Sequence, residues 1–138
     1  MPQRVIGIDL GTTFSVVAYV PTSGAPAGAP AVIPDSQGRA LLPSVISVTD
    51  DGKLLVGEEA RRQRVARPVL TISSVKRLMG KGSREINTEA DYIPYQLDLA
   101  DEKIVRIRLG DKWWTPPEIS ALILRRLKEQ AESFLHEP

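Results

Sequence analysis

Hydrophobic and polar positions alternate too weakly at the N-terminus for a half-exposed strand. Val5 to Asp9 and Phe14 to Val20 are near-continuous apolar runs rich in β-branched residues, which predicts adjacent strands buried on both faces. "PTSGAPAGAP", Pro21 to Pro30, reads as a surface loop, followed by a short third strand over Ala31 to Ile33. "DSQGR" is a turn, and Leu41 to Val48 is extended again. "TDDGK", Thr49 to Lys53, predicts a hairpin because Asp-Gly tolerates the positive φ of tight turns. Val56 to Arg67 reads as a charged helix stopped by Pro68, and "SSVKRLMG" as a helical turn or two ending at Gly80. The polar stretch "KGSREINTEAD" is expected to be exposed. Tyr95 to Leu99 and Lys103 to Leu109 suit an antiparallel pair, with a further short strand at "GDKWW".

The last helix carries the clearest local signals. Thr115 is placed as N-cap, Pro116 as the first helical residue and Glu118 at the capping-box position. Ile119, Leu122, Ile123, Leu127, Ala131 and Phe134 recur on one face, with Arg125, Arg126, Lys128, Glu129 and Glu132 on the other. Strands, short helices, strands and a long helix in that order predict an α/β or α+β body with a smaller inserted subdomain.

Composition narrows the chemistry. The chain has 138 residues, 42% hydrophobic and 25% charged, a globular balance with room for one core. A net charge of +1 gives no nucleic-acid footprint, and no nucleic acid is expected as partner. No apolar run is long enough to span a membrane and no secretory signal is present, so a cytoplasmic protein without membrane contact is expected. The absence of cysteine removes disulfides, thiolate metal sites and cysteine nucleophiles. The single histidine, His136, excludes a histidine-rich metal site and falls near a helix end that favours positive charge.

"DLGTT", Asp9 to Thr13, is the stretch with chemistry to explain. Gly11 permits positive φ and a close ligand approach, successive N–H groups can form an anion hollow, and Thr12 and Thr13 add hydroxyls. Asp9, at the strand end, suits a hydrated Mg²⁺. On spacing alone, an ordinary turn whose threonines cap backbone groups explains the same residues, and no Walker A loop is present. Lys76 can reach a phosphoryl group as a point charge, but Lys76, Arg77, Lys81 and Arg84 also read as a solvated basic face. Trp113 and Trp114 fit a strand with one indole buried and one half exposed. Asp50 and Asp51 are explained by the hairpin.

"IGIDLGTT" resembles the first phosphate loop of the actin-like ATPase superfamily. "VIPDSQGRALLPSVISV", "VGEEARRQRVARP", "SSVKRLMG" and "TPPEISALILRRLKEQAESFL" resemble, in order, consecutive segments of the seventy-kilodalton heat-shock chaperones of the DnaK type. The resemblance runs from Val5 to about Phe134. It implies an actin-like ATPase (ribonuclease H-like) α/β fold, here the first part of lobe I with its inserted α+β subdomain. Residues 1–40 and 115–138 would form the core subdomain and 41–114 the insertion.

The resemblance also implies ATP/ADP and Mg²⁺ as cofactors. Gly11, Thr12, Thr13 and the backbone of Phe14 would contact the phosphates, Asp9 would bind Mg²⁺ through water, and Lys76 would be the catalytic lysine. Unfolded client polypeptides and co-chaperones would be partners of the intact protein. Phe14, Asp35 and the Leu41-Leu42 pair depart from the usual family residues and mark a divergent member. The chain is expected to be a piece of a longer domain, without turnover of its own and able to self-associate through an unpaired sheet edge. A non-catalytic interaction module and a sugar-kinase lobe are the alternatives.

Overall fold

A computed structural model of the chain describes residues 4–24, 28–86 and 90–138. The fold is mixed α/β and is built on three small antiparallel sheets. In the first, β1 (Ile6–Asp9) pairs with β2 (Phe14–Tyr19) in a register that sets Ile6 opposite Tyr19 and Asp9 opposite Val16. The other side of β2 carries β3 (Ala31–Val32) near its end and β4 (Leu42–Pro43) near its start. In the second sheet β5 (Val45–Val48) lies between β6 (Leu54–Val56) and β7 (Thr71–Ser73). The third orders β10 (Lys112–Trp114), β9 (Arg106–Leu109) and β8 (Leu97–Asp98). The helices are α1 (Glu58–Arg62), α2 (Ser83–Ile86) and α3 (Pro116–Leu135), with short 3-10 turns at Pro68–Leu70, Val75–Leu78 and Ala90–Tyr92.

The β5–β6 hairpin forms where Asp-Gly predicts it. Gly52 takes φ +84° and the Thr49 N–H donates to the Lys53 carbonyl. The segment after it is less helical than its charge pattern suggests. Val56 stays in β6 opposite Ile46, and Gly57 then turns at φ +87°, where a Cβ would lie 2.5 Å from Leu42 Cδ1. α1 therefore starts only at Glu58 and stops at Arg62. Arg67, at φ −137° and ψ 59°, lies outside the helical region, as a residue before proline favours.

α3 follows the sequence reading closely. Thr115 Oγ1 accepts from the Glu118 N–H, and the Glu118 carboxylate accepts from the Thr115 N–H at 2.8 Å, which completes the capping box. Ile119, Ile123, Leu127 and Ala131 form a buried row at four-residue spacing. This row packs chiefly on β2 and on the 3-10 turn Val75–Leu78, and so ties the first sheet to the segment that carries Lys76. Gln130 reaches from α3 to donate to the Ile33 carbonyl at 2.8 Å. Phe134 departs from the expected buried face. It is half-exposed and meets Tyr19 edge-on, with ring centroids 5.8 Å apart.

One continuous core joins the sheets through Val17, Ile33, Ile46, Ile72, Ile107 and the α3 row. Two further expectations are corrected. β1 is not buried on both faces: Gly7, Ile8 and Asp9 are exposed, because among the described residues β1 has a ladder partner on one side only. The polar stretch after Gly80 is not wholly exposed either. Ser83 and Ile86 are buried, because the short helix α2 turns Ile86 into the core cluster. Residues 87–89 of that stretch, like the loop positions 25–27, lie outside the described residues.

Candidate functional site

The four residues Leu10 to Thr13 connect β1 to β2. Their backbone is braced from behind by two serines. The Gly11 N–H donates to Ser15 Oγ at 3.3 Å, and Ser44 Oγ donates to the Gly11 carbonyl at 2.8 Å. The two hydroxyls lie 2.8 Å apart. Because the Ser44 proton is committed to Gly11, the Ser15 proton must go to Ser44 Oγ, which closes a ring of three hydrogen bonds. The Ser44 N–H also donates to the Thr13 carbonyl at 2.9 Å. Ser15 and Ser44 are both buried, so their hydroxyls are withdrawn from water and must find partners within the ring.

Glycine is required at position 11 for close approach, not for the positive φ expected from sequence. Gly11 is absent from the residues with left-handed backbone, but a Cβ there would sit 2.0 Å from the Phe14 carbonyl oxygen. Its N–H is turned inward to Ser15. Thr13 is exposed and Thr12 partly so, and neither hydroxyl bonds to any described residue. Among the described residues the threonine side chains therefore cap no backbone group. Their hydroxyls stand on a fixed backbone with no protein partner.

Asp9, at the end of β1, is exposed and makes no side-chain hydrogen bond or ion pair with a described residue. Among the described residues no group of three or more histidines or carboxylates could hold a metal. A lone carboxylate fits a strongly hydrated ion such as Mg²⁺, which keeps most of its waters and needs few protein ligands. Phe14 opens β2 opposite Pro43 and is partly exposed.

Lys76 lies in the 3-10 turn Val75–Leu78 and is exposed. Ser44 is the junction that links this turn to the first hairpin. Its backbone holds Thr13, and the next residue, Val45, pairs with Ser73 at the end of β7. Ser74 then reverses the chain with φ 57°, and the Lys76 turn follows. Of the neighbouring cations, Arg84 is paired with Glu102 at 2.6 Å.

Ser15 and Ser44 were not singled out from sequence. The available signal was weak. Ser15 is a small polar residue at an inward position of an otherwise apolar strand, and Ser44 interrupts the apolar run Leu41 to Val48 directly after a proline. Asp35 has a local role. Burial pushes its carboxyl up, but hydrogen bonds from the Arg39 N–H and guanidinium and from the Gln37 N–H outweigh this and hold it below the usual range. It shapes the turn before β4.

These features define a mixed α/β protein whose first hairpin presents a braced, hydroxyl-bearing turn beside a carboxylate that has no partner among the described residues. The family model for Hsp70 protein matches residues 5–138, and the chain belongs to the Hsp70 family. Membership carries a chaperone ATPase-domain role, nucleotide with Mg²⁺ as the general ligand, and unfolded clients and co-chaperones as the general partners. No helix among the described residues is long and apolar enough to cross a membrane.

Proposed function

We propose that the chain is the first part of an Hsp70 nucleotide-binding domain, and that the Leu10–Thr13 turn holds the phosphates of ATP or ADP. The observation that carries this reading is the pair of threonine hydroxyls, without a partner among the described residues, on a backbone clamped by Ser15 and Ser44. A preorganised donor set of this kind stabilises a phosphate chain without rearranging when it arrives. In this reading Gly11, Thr12, Thr13 and the Phe14 backbone lie against the phosphates. Asp9 holds Mg²⁺ through water. Lys76 neutralises charge on the transferred group and orients the attacking water.

The intact protein would use ATP binding and hydrolysis to change its affinity for unfolded polypeptides. Residues 1–40 and 115–138 would form the core of lobe I and 41–114 its insertion. β1 to β3 fall in the first of these parts and β5 to β10 in the insertion, while β4 pairs with β2 across the boundary. The match to Hsp70 over residues 5–138 weighs against a sugar-kinase lobe.

One hairpin is half a clamp. The 138-residue chain is therefore expected to bind Mg-ATP weakly or not at all in calorimetry, with no turnover. Sub-micromolar affinity would refute that expectation. Soaking crystals in ATP and Mg²⁺ tests the turn itself. Phosphate density over Gly11 to Thr13 is the expected result, and density elsewhere with a bare turn would end the proposal.

A specific observation also favours an interaction role for the isolated chain. β1 has one unpaired edge among the described residues, and beside it lies an apolar hollow of about 960 Å³ lined by Val5, Ile6, Tyr19 and Val20. An unpaired strand edge is a template for pairing with another chain, so self-association is expected. Light scattering that shows a strict monomer at high concentration would exclude it.

A further inference from the structure

A second polar hollow opens where β7 ends, apart from the Leu10–Thr13 turn. It has a volume of about 630 Å³, within the range of small-molecule sites. Arg64, Ser73, Ser74, Arg77, Tyr92 and Tyr95 line it, and among the described residues no carboxylate does. Neither Lys76 nor any residue of the turn lies in its wall.

Arginines of both kinds occur in the chain: some are ion-paired, and others, Arg106, Arg125 and Arg126 as well as those of this hollow, have no ion pair with a described residue. Arg39, Arg61, Arg62, Arg67 and Arg84 each have a carboxylate partner. The Arg64 and Arg77 side chains make no ion pair or hydrogen bond with any described residue. The Ser73 and Ser74 hydroxyls are also without a partner among the described residues. Two arginines and two serines whose side chains have no partner among the described residues thus line one cavity.

The wall is held in place by its backbone. Tyr95 is buried, and its hydroxyl donates to the Ser73 carbonyl at 2.9 Å, which anchors the end of β7. Ser74 adopts a left-handed conformation, φ 57° and ψ 29°, without being glycine. A residue other than glycine is strained in this conformation, and such strain recurs at ligand-binding sites. The reversal at Ser74 turns the chain from β7 into the 3-10 turn and brings Arg77 back to the cavity it has just left.

We propose that this cavity binds a small organic oxyanion, a phosphate- or carboxylate-bearing molecule, gripped by Arg64 and Arg77 and oriented by the Ser73 and Ser74 hydroxyls. Guanidinium presents paired N–H groups that match either oxyanion, and the serines supply shorter-range donors. The site is separate from the nucleotide turn and does not depend on it.

The test is an amide NMR titration of the 138-residue chain with inorganic phosphate in one series and citrate in another. Saturable shifts are expected at Ser73, Ser74, Arg77 and Tyr95 with at least one probe, and the responding probe identifies the oxyanion. Arg64→Ala and Arg77→Ala are each expected to weaken binding about tenfold. Both side chains are exposed, so both variants should fold. In a Thr12→Ala, Thr13→Ala double variant the shifts at Ser73, Ser74, Arg77 and Tyr95 should persist with the parent's midpoint, whatever happens at the turn, which separates the two sites. The proposal is overturned if neither probe saturates, if both arginine variants bind like the parent, or if only Gly11 to Phe14 respond. The last outcome would favour the nucleotide turn alone.

Discussion

Ser15 and Ser44, twenty-nine positions apart in the chain, hold their hydroxyls 2.8 Å from one another beneath the first hairpin turn. Through them the loop after β1 is fastened to the segment that leads into β5. Removing either hydroxyl strands a buried partner, so Ser44→Ala is expected to cost roughly 1–3 kcal/mol. Replacing both serines with alanine should cost less than the sum of the single changes, because the second substitution removes a group already left unpaired. Urea denaturation of the three variants measures this, and strict additivity would show that the hydroxyls do not act as a unit.

Gly11 has no room for a side chain. A methyl group would lie 2.0 Å from the Phe14 carbonyl oxygen, and backbone cannot move aside as a flexible side chain can. Gly11→Ala should destabilise the chain by roughly 1–3 kcal/mol and shift the amide resonances of Leu10 to Ser15. Gly7, in the adjacent strand, meets nothing within 4 Å, and Gly7→Ala is the control expected to leave stability nearly unchanged.

Tyr95 links stability to alkaline pH. Burial pushes its phenol from 10.0 up to about 12, against a smaller opposing pull from Arg77. A phenol with a raised folded pKa stabilises the fold fully below the unfolded value, and that contribution is lost as pH climbs through the folded one. The chain should therefore lose about 2–3 kcal/mol between pH 10 and 12 from this group. Tyr95→Phe should cost about 1 kcal/mol at neutral pH, through the lost bond to the Ser73 carbonyl, but should flatten the alkaline decline. Equal slopes for parent and variant would refute the assignment.

Lys76 is exposed and has no side-chain partner among the described residues. Lys76→Ala should leave the thermal midpoint where it is, within about 0.5 kcal/mol of stability. A large destabilisation would mean that the lysine is structural and would weaken the catalytic role proposed for it.

Local chemistry was sufficient wherever neighbouring residues decide the outcome. The capping box at Thr115 and Glu118, the Asp-Gly hairpin at Thr49 to Lys53, the paired strands around "DLGTT" and the ordered segments that resemble Hsp70 were all legible in the chain alone. These features depend on φ preferences, side-chain reach and periodicity within a few residues. Tertiary structure decided what depends on distant partners. It left β1 with one open edge and kept Val56 in a strand against Ile46. It gave Gly11 its reason through the Phe14 carbonyl, and set Ser44 against Ser15. No local rule can name those partners, because hydrogen bonds and close contacts are settled by which surfaces meet, and the core that brings them together spans the whole chain.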